Sequence, residues 1–347
     1  MVSYLEIEIS SNINISDAIY ITSDRPVTVF AMNVNQYSTG GMLVLPKQSL
    51  ASNYLVATTP YDDDLSGLLI IPTESGTEVT LYFPDKTSQS VKLDYGKTYQ
   101  LERSGLSGTY IEADKPIAVF AGEKCANLPD PGNYSCDHII EQMPPIEALD
   151  TVYVTARTEP RSNFGLLIVA ANDSTYVTIN EIHSMSLYSF QMNRHDTIYK
   201  TFGNDIPYVS VTADKPVFVT QYGVSTTVDN LGQGDASMFV VPGVKHFLNN
   251  YRFVVPDGYD TNKVMIVYNI TDGNDPRTGL NHNRVTEYIA EMTSVQVWQD
   301  IFGVCYLEVE AGVHQLENSE AMFGAVLYGQ ARNKEYAWNL GMYMWTV

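Results

Sequence analysis

Tyr4-Leu5-Glu6-Ile7-Glu8-Ile9 near the start of the chain returns as Tyr306-Leu307-Glu308-Val309-Glu310 near its end. Between them a tyrosine opens the same kind of apolar alternation at Tyr54-Leu55-Val56, Tyr99-Gln100-Leu101, Tyr153-Val154, Tyr199-Lys200 and Tyr251-Arg252-Phe253. The steps are 54−4 = 50, 99−54 = 45, 153−99 = 54, 199−153 = 46, 251−199 = 52 and 306−251 = 55. Alternation at period two marks strands with one buried face. Seven units of this length fall in the period range of blade-forming repeats.

Working outward from each tyrosine strand, short alternating segments are separated by Gly, Pro, Asn and Asp, and almost nothing reads as helix. Unit one has strands over 4–9, 18–21 and 27–30. Unit two has four, over 42–45, 54–58, 68–71 and 78–83. Units three, four and five repeat the set over 91–120, 139–179 and 189–220. Unit six runs over 238–268, with its last strand at 285–289 beyond a polar insertion over 271–283. Unit seven runs over 295–328. Asp24-Arg25-Pro26-Val27, Asp114-Lys115-Pro116-Ile117 and Asp214-Lys215-Pro216-Val217 are near copies, confined to odd units. Proline suits a strand's first residue, and the aspartate can cap the turn before it. The recurrence at about twice the tyrosine spacing pairs the units into repeats of about 100 residues. Unit one lacks a first strand, and the chain supplies a surplus strand over 336–342. Those complementary gaps predict an all-β fold over 1–347: a seven-bladed β-propeller of four-stranded antiparallel blades, closed by the N- and C-terminal strands so that no sheet edge stays open. The alternative is a row of tandem β-sandwich modules of two units each.

The 347 residues carry a formal net charge of −20 and 24 tyrosines, and 44% are hydrophobic, ample for a sizeable core. The acidity opposes binding to nucleic acid or to an anionic membrane surface. It suits solubility, basic partners or Ca²⁺. No apolar run is long enough to cross a bilayer, so no membrane insertion is expected. Met1-Val2-Ser3 leads directly into a strand without a signal peptide, as at the start of a mature or excised domain. Cys125 and Cys136 flank a Pro-, Gly- and Asn-rich loop and make a local disulfide candidate, while Cys305, inside a strand pattern, reads as a small buried apolar residue. Sequons at Asn14, Asn133, Asn172 and Asn269 join the cysteine pair in pointing to a secreted glycoprotein.

The richest local cluster follows the cysteine loop: Cys136-Asp137-His138-Ile139-Ile140-Glu141-Gln142-Met143-Pro144-Pro145. Asp137, His138, Glu141 and Gln142 are the candidate binding residues. The first strand of a propeller blade lines the central channel, where Glu141 could face a ligand. On the other reading, Glu141 and Gln142 satisfy backbone groups at a crowded centre, the usual work of buried polar side chains. Asp62-Asp63-Asp64 is a weak Ca²⁺ candidate, since Ca²⁺ loops place their ligands at alternate positions. The six histidines show no zinc spacing, and no nucleophile elbow or phosphate loop occurs, so neither a cofactor nor an enzymatic activity is expected.

The cluster resembles the N-terminal IgG Fc-binding domain of the secreted, mucus-associated IgG Fc-binding proteins. The shared marks are the strand over 115–120, Cys125, the Cys136-Asp137-His138 step, the Glu141-Gln142-Met143-Pro144-Pro145 run, the His314 turn, Phe323-Gly324, Tyr328-Gly329, Tyr336 and Gly341. The resemblance implies a non-enzymatic extracellular binding or adhesion module of a mucus- or matrix-type protein, with protein or glycan partners and no catalytic residues. A self-assembling subunit of an extracellular filament or matrix, contacting copies of itself, is the alternative.

Overall fold

The computed structural model describes residues 18–35, 38–61, 65–129, 135–181, 184, 186–229, 231–270, 280–282, 285–297, 299–319 and 321–344. The strand expected over 4–9, Asn14, Asp62-Asp63-Asp64, Asn133 and most of the insertion over 271–283 lie outside them. A hairpin of β1 (Val29–Asn35) and β2 (Ser38–Val44) comes first. Eight strands follow: β3 (Asn53–Leu55), β4 (Ser66–Pro72), β5 (Thr77–Tyr82), β6 (Ser88–Leu93), β7 (Tyr99–Arg103), β8 (Tyr110–Ala113), β9 (Ile117–Ala126) and β10 (Asp137–Gln142). They form two antiparallel sheets, ordered β3-β8-β5-β6 and β10-β9-β4-β7.

The same wiring is then used again. The second sandwich has β11 (Asp150–Ala156), β12 (Phe164–Ala170), β13 (Thr175–Glu181), β14 (Ser186–Met192), β15 (Thr197–Phe202), β16 (Tyr208–Gly223) and β17 (Ser237–Val240). Here one long strand, β16, does the work of β8 and β9: its first half pairs with β11 and β13, its second with β12 and β17. The third has β18 (Asn250–Val255), β19 (Thr261–Asn269), β20 (Leu280–His282), β21 (Val285–Val297), β22 (Asp300–Val309), β23 (Gly312–Asn318), β24 (Phe323–Ala331) and β25 (Lys334–Asn339). Its sheets are β18-β23-β20 and β21-β22-β19-β24-β25.

These pairings correct the propeller. A blade pairs each strand with its neighbour in sequence. Here β3 and β4 belong to different sheets, and the last strands of one tyrosine unit pair with strands of the next. Among the described residues no closed propeller forms, and the sandwich-like sheets fit the alternative. The surplus C-terminal strand, β25, ladders onto β24 of its own sandwich instead of completing an N-terminal blade. Residues 18–21, expected as a strand, are irregular.

The tyrosine repeat is real, but it merges two classes of residue. Tyr54, Tyr153 and Tyr251 open the first strand of each sandwich, and each follows a 3-10 turn, at Lys47–Ser49, Ile146–Ala148 and Val244–His246. The Tyr54 hydroxyl accepts from Ala51 N at 3.0 Å and donates to Ile117 O at 2.6 Å. That of Tyr153 accepts from Asp150 N at 2.8 Å and donates to Val217 O at 2.6 Å. That of Tyr251 bridges Leu248 N and Phe323 O in the same way. Each phenol therefore clips one sheet to the other beside the point where the chain crosses between them. Burial holds all three hydroxyls above the usual tyrosine range, so they remain donors. Tyr153→Phe leaves a buried N–H and a buried C=O short of a partner, and a loss of about 2 kcal/mol is expected in chemical denaturation. An unchanged midpoint would remove the clip from the account.

Tyr199 and Tyr306 belong to the other class. They sit on β15 and β22 and face the preceding sandwich: the Tyr306 hydroxyl donates to Arg157 O at 2.8 Å, and Tyr199 packs against the core of the first sandwich. The Asp-Lys-Pro copies sit at the sheet crossing. Asp114 caps Glu78 N and Lys115 Nζ donates to Ser75 O. Asp214 caps Tyr176 N and Lys215 Nζ donates to Asp173 O.

The sandwiches stack through strongly apolar strands. Gly67-Leu68-Leu69-Ile70-Ile71 and Gly165-Leu166-Leu167-Ile168-Val169 lie centrally in their sheets, and apolar residues on both faces let such strands bury both sides. Leu166 and Ile168 fill the core of the second sandwich while Leu167 and Val169 pack against the first. Met265, Val326 and Tyr328 of the third likewise pack against the second. The hairpin closes against both ends of the series: Leu43 and Leu45 meet Ala118 and Phe120, and Phe30 packs on Trp338.

Candidate functional site

β10 carries all four candidate residues, and β2, β10, β17 and β25 approach one another. β2 comes close to β25 because Gly41 lies against the Trp338 ring, where an added Cβ would collide with Cζ3 and Cε3. The Cys125–Cys136 disulfide joins the end of β9 to the start of β10 and closes the intervening loop.

Asp137 is 1% exposed and accepts from His138 N at 2.7 Å and Thr39 N at 3.4 Å. Burial, with the neighbouring Asp235 carboxylate adding to it, raises its carboxyl to about 7. His138 is half-buried; its backbone N donates to Ser38 Oγ at 3.3 Å, and burial lowers its ring. Gln142 Oε1 accepts from Leu45 N at 2.8 Å and so ties the far end of β2 to β10. Glu141 is 2% exposed; burial pushes it well above the carboxylate range, and its Oε1 has no hydrogen-bond partner among the described residues.

The four side chains do not converge. Asp137 and Gln142 are spread over a strand rising about 3.3 Å per residue, and each serves a different end of β2. Two open surface depressions, one lined by Pro84, Asp85 and Arg103 and the other by Thr151, Tyr176 and Asp214, include none of the four. Of Glu141 and Gln142, the pair read as satisfying backbone groups, Gln142 accepts from Leu45 N while Glu141 Oε1 has no hydrogen-bond partner among the described residues; Asp137 accepts from backbone N–H groups as well.

A second buried polar group reaches β17 and β25 through Ser237 and Glu335 and has no mark in the sequence beyond a lone arginine in a loop. The Arg161 side chain is fully buried with Asp229 and Glu335: Nε donates to Asp229 Oδ2 at 2.6 Å and Nη1 to Glu335 Oε2 at 2.9 Å. Nη2 donates to Val224 O at 2.6 Å. Glu335 also accepts from Ser237 Oγ at 3.0 Å and Gln330 Nε2 at 3.3 Å. The partners come from sequence positions up to 174 residues apart, which no local pattern relates. Burial raises Glu335 although Arg161 opposes the shift. The fork geometry of guanidinium suits such a joint.

Among the described residues no group of three or more His, Cys, Asp or Glu could hold a metal ion, and no helix is long and apolar enough to cross a membrane. Asn269 is exposed at the end of β19 and Asn172 lies half-buried at the turn before β13. Cys305 is buried and lies outside the disulfide.

The family model described as "IgGFc binding protein" matches residues 40–329. The human protein named "IgGFc-binding protein" is 28% identical over 177 residues, covering 47% of this chain; the chain spans 3% of the length of that relative. A solved structure titled "Structural insight into host cell surface retention of a 1.5-MDa bacterial ice-binding adhesin" aligns over 92% of this chain and 98% of its own, at 10% identity. Its TM-score of 0.13 is too low to bear on the fold.

Proposed function

Because the chain belongs to the IgGFc-binding protein family, we propose that it is a non-enzymatic extracellular binding module that engages a protein partner across its outer surface, with immunoglobulin Fc as the first partner to test. The family match carries the reading. The burial of Asp137, Gln142, Arg161 and Glu335 in joints between strands supports it, because those side chains are used in holding the strands together. Recognition then falls to loops and sheet surfaces, as in other β-sandwich modules. The Cys125–Cys136 bridge suits an oxidising, extracellular setting. The net charge of −20 favours a partner with a basic face and predicts association that slows as salt rises.

The test is surface plasmon resonance of the purified chain over immobilised IgG Fc, native and enzymatically deglycosylated. Saturable binding to both is expected, with an association rate that falls between low and physiological salt. Loss of binding on deglycosylation would move the reading to a glycan partner. Absence of binding to either form would overturn Fc as the partner.

A further inference from the structure

The outer face of the second sandwich, formed by β13, β14 and the first half of β16, can be matched residue by residue with that of the first. Asp114 Oδ1 accepts from Glu78 N at 2.8 Å and Asp214 Oδ1 from Tyr176 N at 2.7 Å, so Tyr176 stands where Glu78 does. From there the registers run in step. Glu78 lies opposite Lys92 and Tyr176 opposite Gln191, while Thr80 lies opposite Ser90 and Thr178 opposite Ser189. Across the next strand Thr80 meets Glu112 and Thr178 meets Thr212. The hydroxyl contact in the middle is kept, at 3.0 Å between Thr80 and Ser90 and 3.2 Å between Thr178 and Ser189. The three charged residues of the first face, Glu78, Lys92 and Glu112, are replaced by Tyr176, Gln191 and Thr212.

In a chain of net charge −20, this face has exchanged ionic side chains for a phenol, an amide and a hydroxyl. Tyr176 is 58% exposed and lines an open depression of about 440 Å³ together with Thr151, Thr178, Thr212, Ala213 and Asp214. Asp214 is exposed, and its Oδ2 makes no hydrogen bond among the described residues. Leu187, opposite Asn180 and 65% exposed, extends the face at its far end. A tyrosine ring offers a flat apolar surface, and the hydroxyls, amide and carboxylate around it supply both donors and acceptors. That combination fits a pyranose ring, which has an apolar C–H face and a rim of hydroxyls. A charged partner would be better matched by the ionic residues that the first sandwich keeps. The volume lies in the range of small-molecule sites, and a depression open to the surface lets a chain of sugars run on past it.

We propose that the Tyr176 depression is a binding site for an uncharged oligosaccharide. One sugar ring stacks on Tyr176, and Thr178, Gln191, Thr212 and Asp214 exchange hydrogen bonds with its hydroxyls. Neighbouring sugars follow β13 toward Leu187. The inference is independent of Fc binding, because it concerns free carbohydrate and has its own salt response. Affinity for a neutral ligand holds constant between low and physiological salt, whereas association with a basic protein face slows.

The experiment is saturation-transfer NMR of the full chain with cellotetraose, chitotetraose and lacto-N-neotetraose, all uncharged. Saturable transfer to at least one is expected, strongest at ring C–H protons and unchanged by salt. Tyr176→Ala removes the platform and should weaken binding roughly tenfold. Tyr176→Glu with Thr212→Glu restores the acidic pattern of the first sandwich and should abolish binding. Both variants change side chains on the solvent face and should keep the parent melting temperature. Tyr82→Ala, on the first sandwich, should bind as the parent does. No transfer to any of the three sugars, undiminished binding by Tyr176→Ala, or an equal loss in Tyr82→Ala would each overturn the proposal. So would Fc binding that the double variant abolishes in a chain that binds none of the sugars, since the face would then belong to a protein partner.

Discussion

Arg161→Met is expected to destabilise the protein by about 3–5 kcal/mol, the range for removing one partner of a buried ion pair. The substitution keeps most of the apolar stem and deletes the fork. Asp229 and Glu335 would then be left charged in a site where their side chains are fully buried, and Val224 O would lose its donor. Part of the loss should return in the triple variant Arg161→Met, Asp229→Asn, Glu335→Gln, because neutral amides remove the uncompensated charge. Urea denaturation measures both. A single variant within about 1 kcal/mol of the parent would show that water reaches the carboxylates and that the joint is not sealed.

The second large effect concerns pH. The Asp137 carboxyl stands near 7 in the folded chain against an ordinary value of 3.8. The folded state therefore holds that proton more tightly than the unfolded state does. The associated loss of stability is absent below pH 4, grows as pH rises through the interval, and is complete above pH 7. Between pH 5 and pH 8 it amounts to about 2–3 kcal/mol. Asp235 and Glu335, also raised by burial, add in the same direction, while His138, lowered by burial, works against it. Asp137→Asn keeps one oxygen to accept from His138 N or Thr39 N and abolishes the ionisation. Its stability should fall less between pH 5 and pH 8 than the parent's, by that same 2–3 kcal/mol. Parallel pH profiles for the two proteins would mean that Asp137 titrates as an ordinary carboxylate, open to water.

Much of this architecture is legible in the sequence because it rests on local chemistry. Alternation at period two marks the strands, and Asp-Lys-Pro marks the crossings in the first two sandwiches. The tyrosines at 54, 153 and 251 recur at the length of one sandwich. The propeller follows from treating those tyrosines and the ones at 199 and 306 as one repeat. Both sets open an amphipathic strand. What separates them is whether the hydroxyl turns inward to a backbone carbonyl of its own sandwich, as in Tyr153, or across to a neighbouring one, as in Tyr306. The candidate site divides in the same way. Cys125 and Cys136 are eleven residues apart, close enough for their spacing to mark the pair, whereas Asp137, Thr39 and Asp235 meet only because β2, β10 and β17 converge.

Strand content, the turn residues and the 100-residue recurrence thus belong to the chain itself, since each depends on residues within a few positions of one another. Strand pairing and the buried ion pair belong to the tertiary structure. An apolar strand such as Gly165-Leu166-Leu167-Ile168-Val169 can be ladder-bonded to any neighbour that matches its two greasy faces. Only packing against the first sandwich on one side and the second sandwich's core on the other decides which neighbours those are. Arg161 is buried for the same reason: its partners lie 68 and 174 residues away, and only the assembled sandwiches bring their charges within hydrogen-bonding distance.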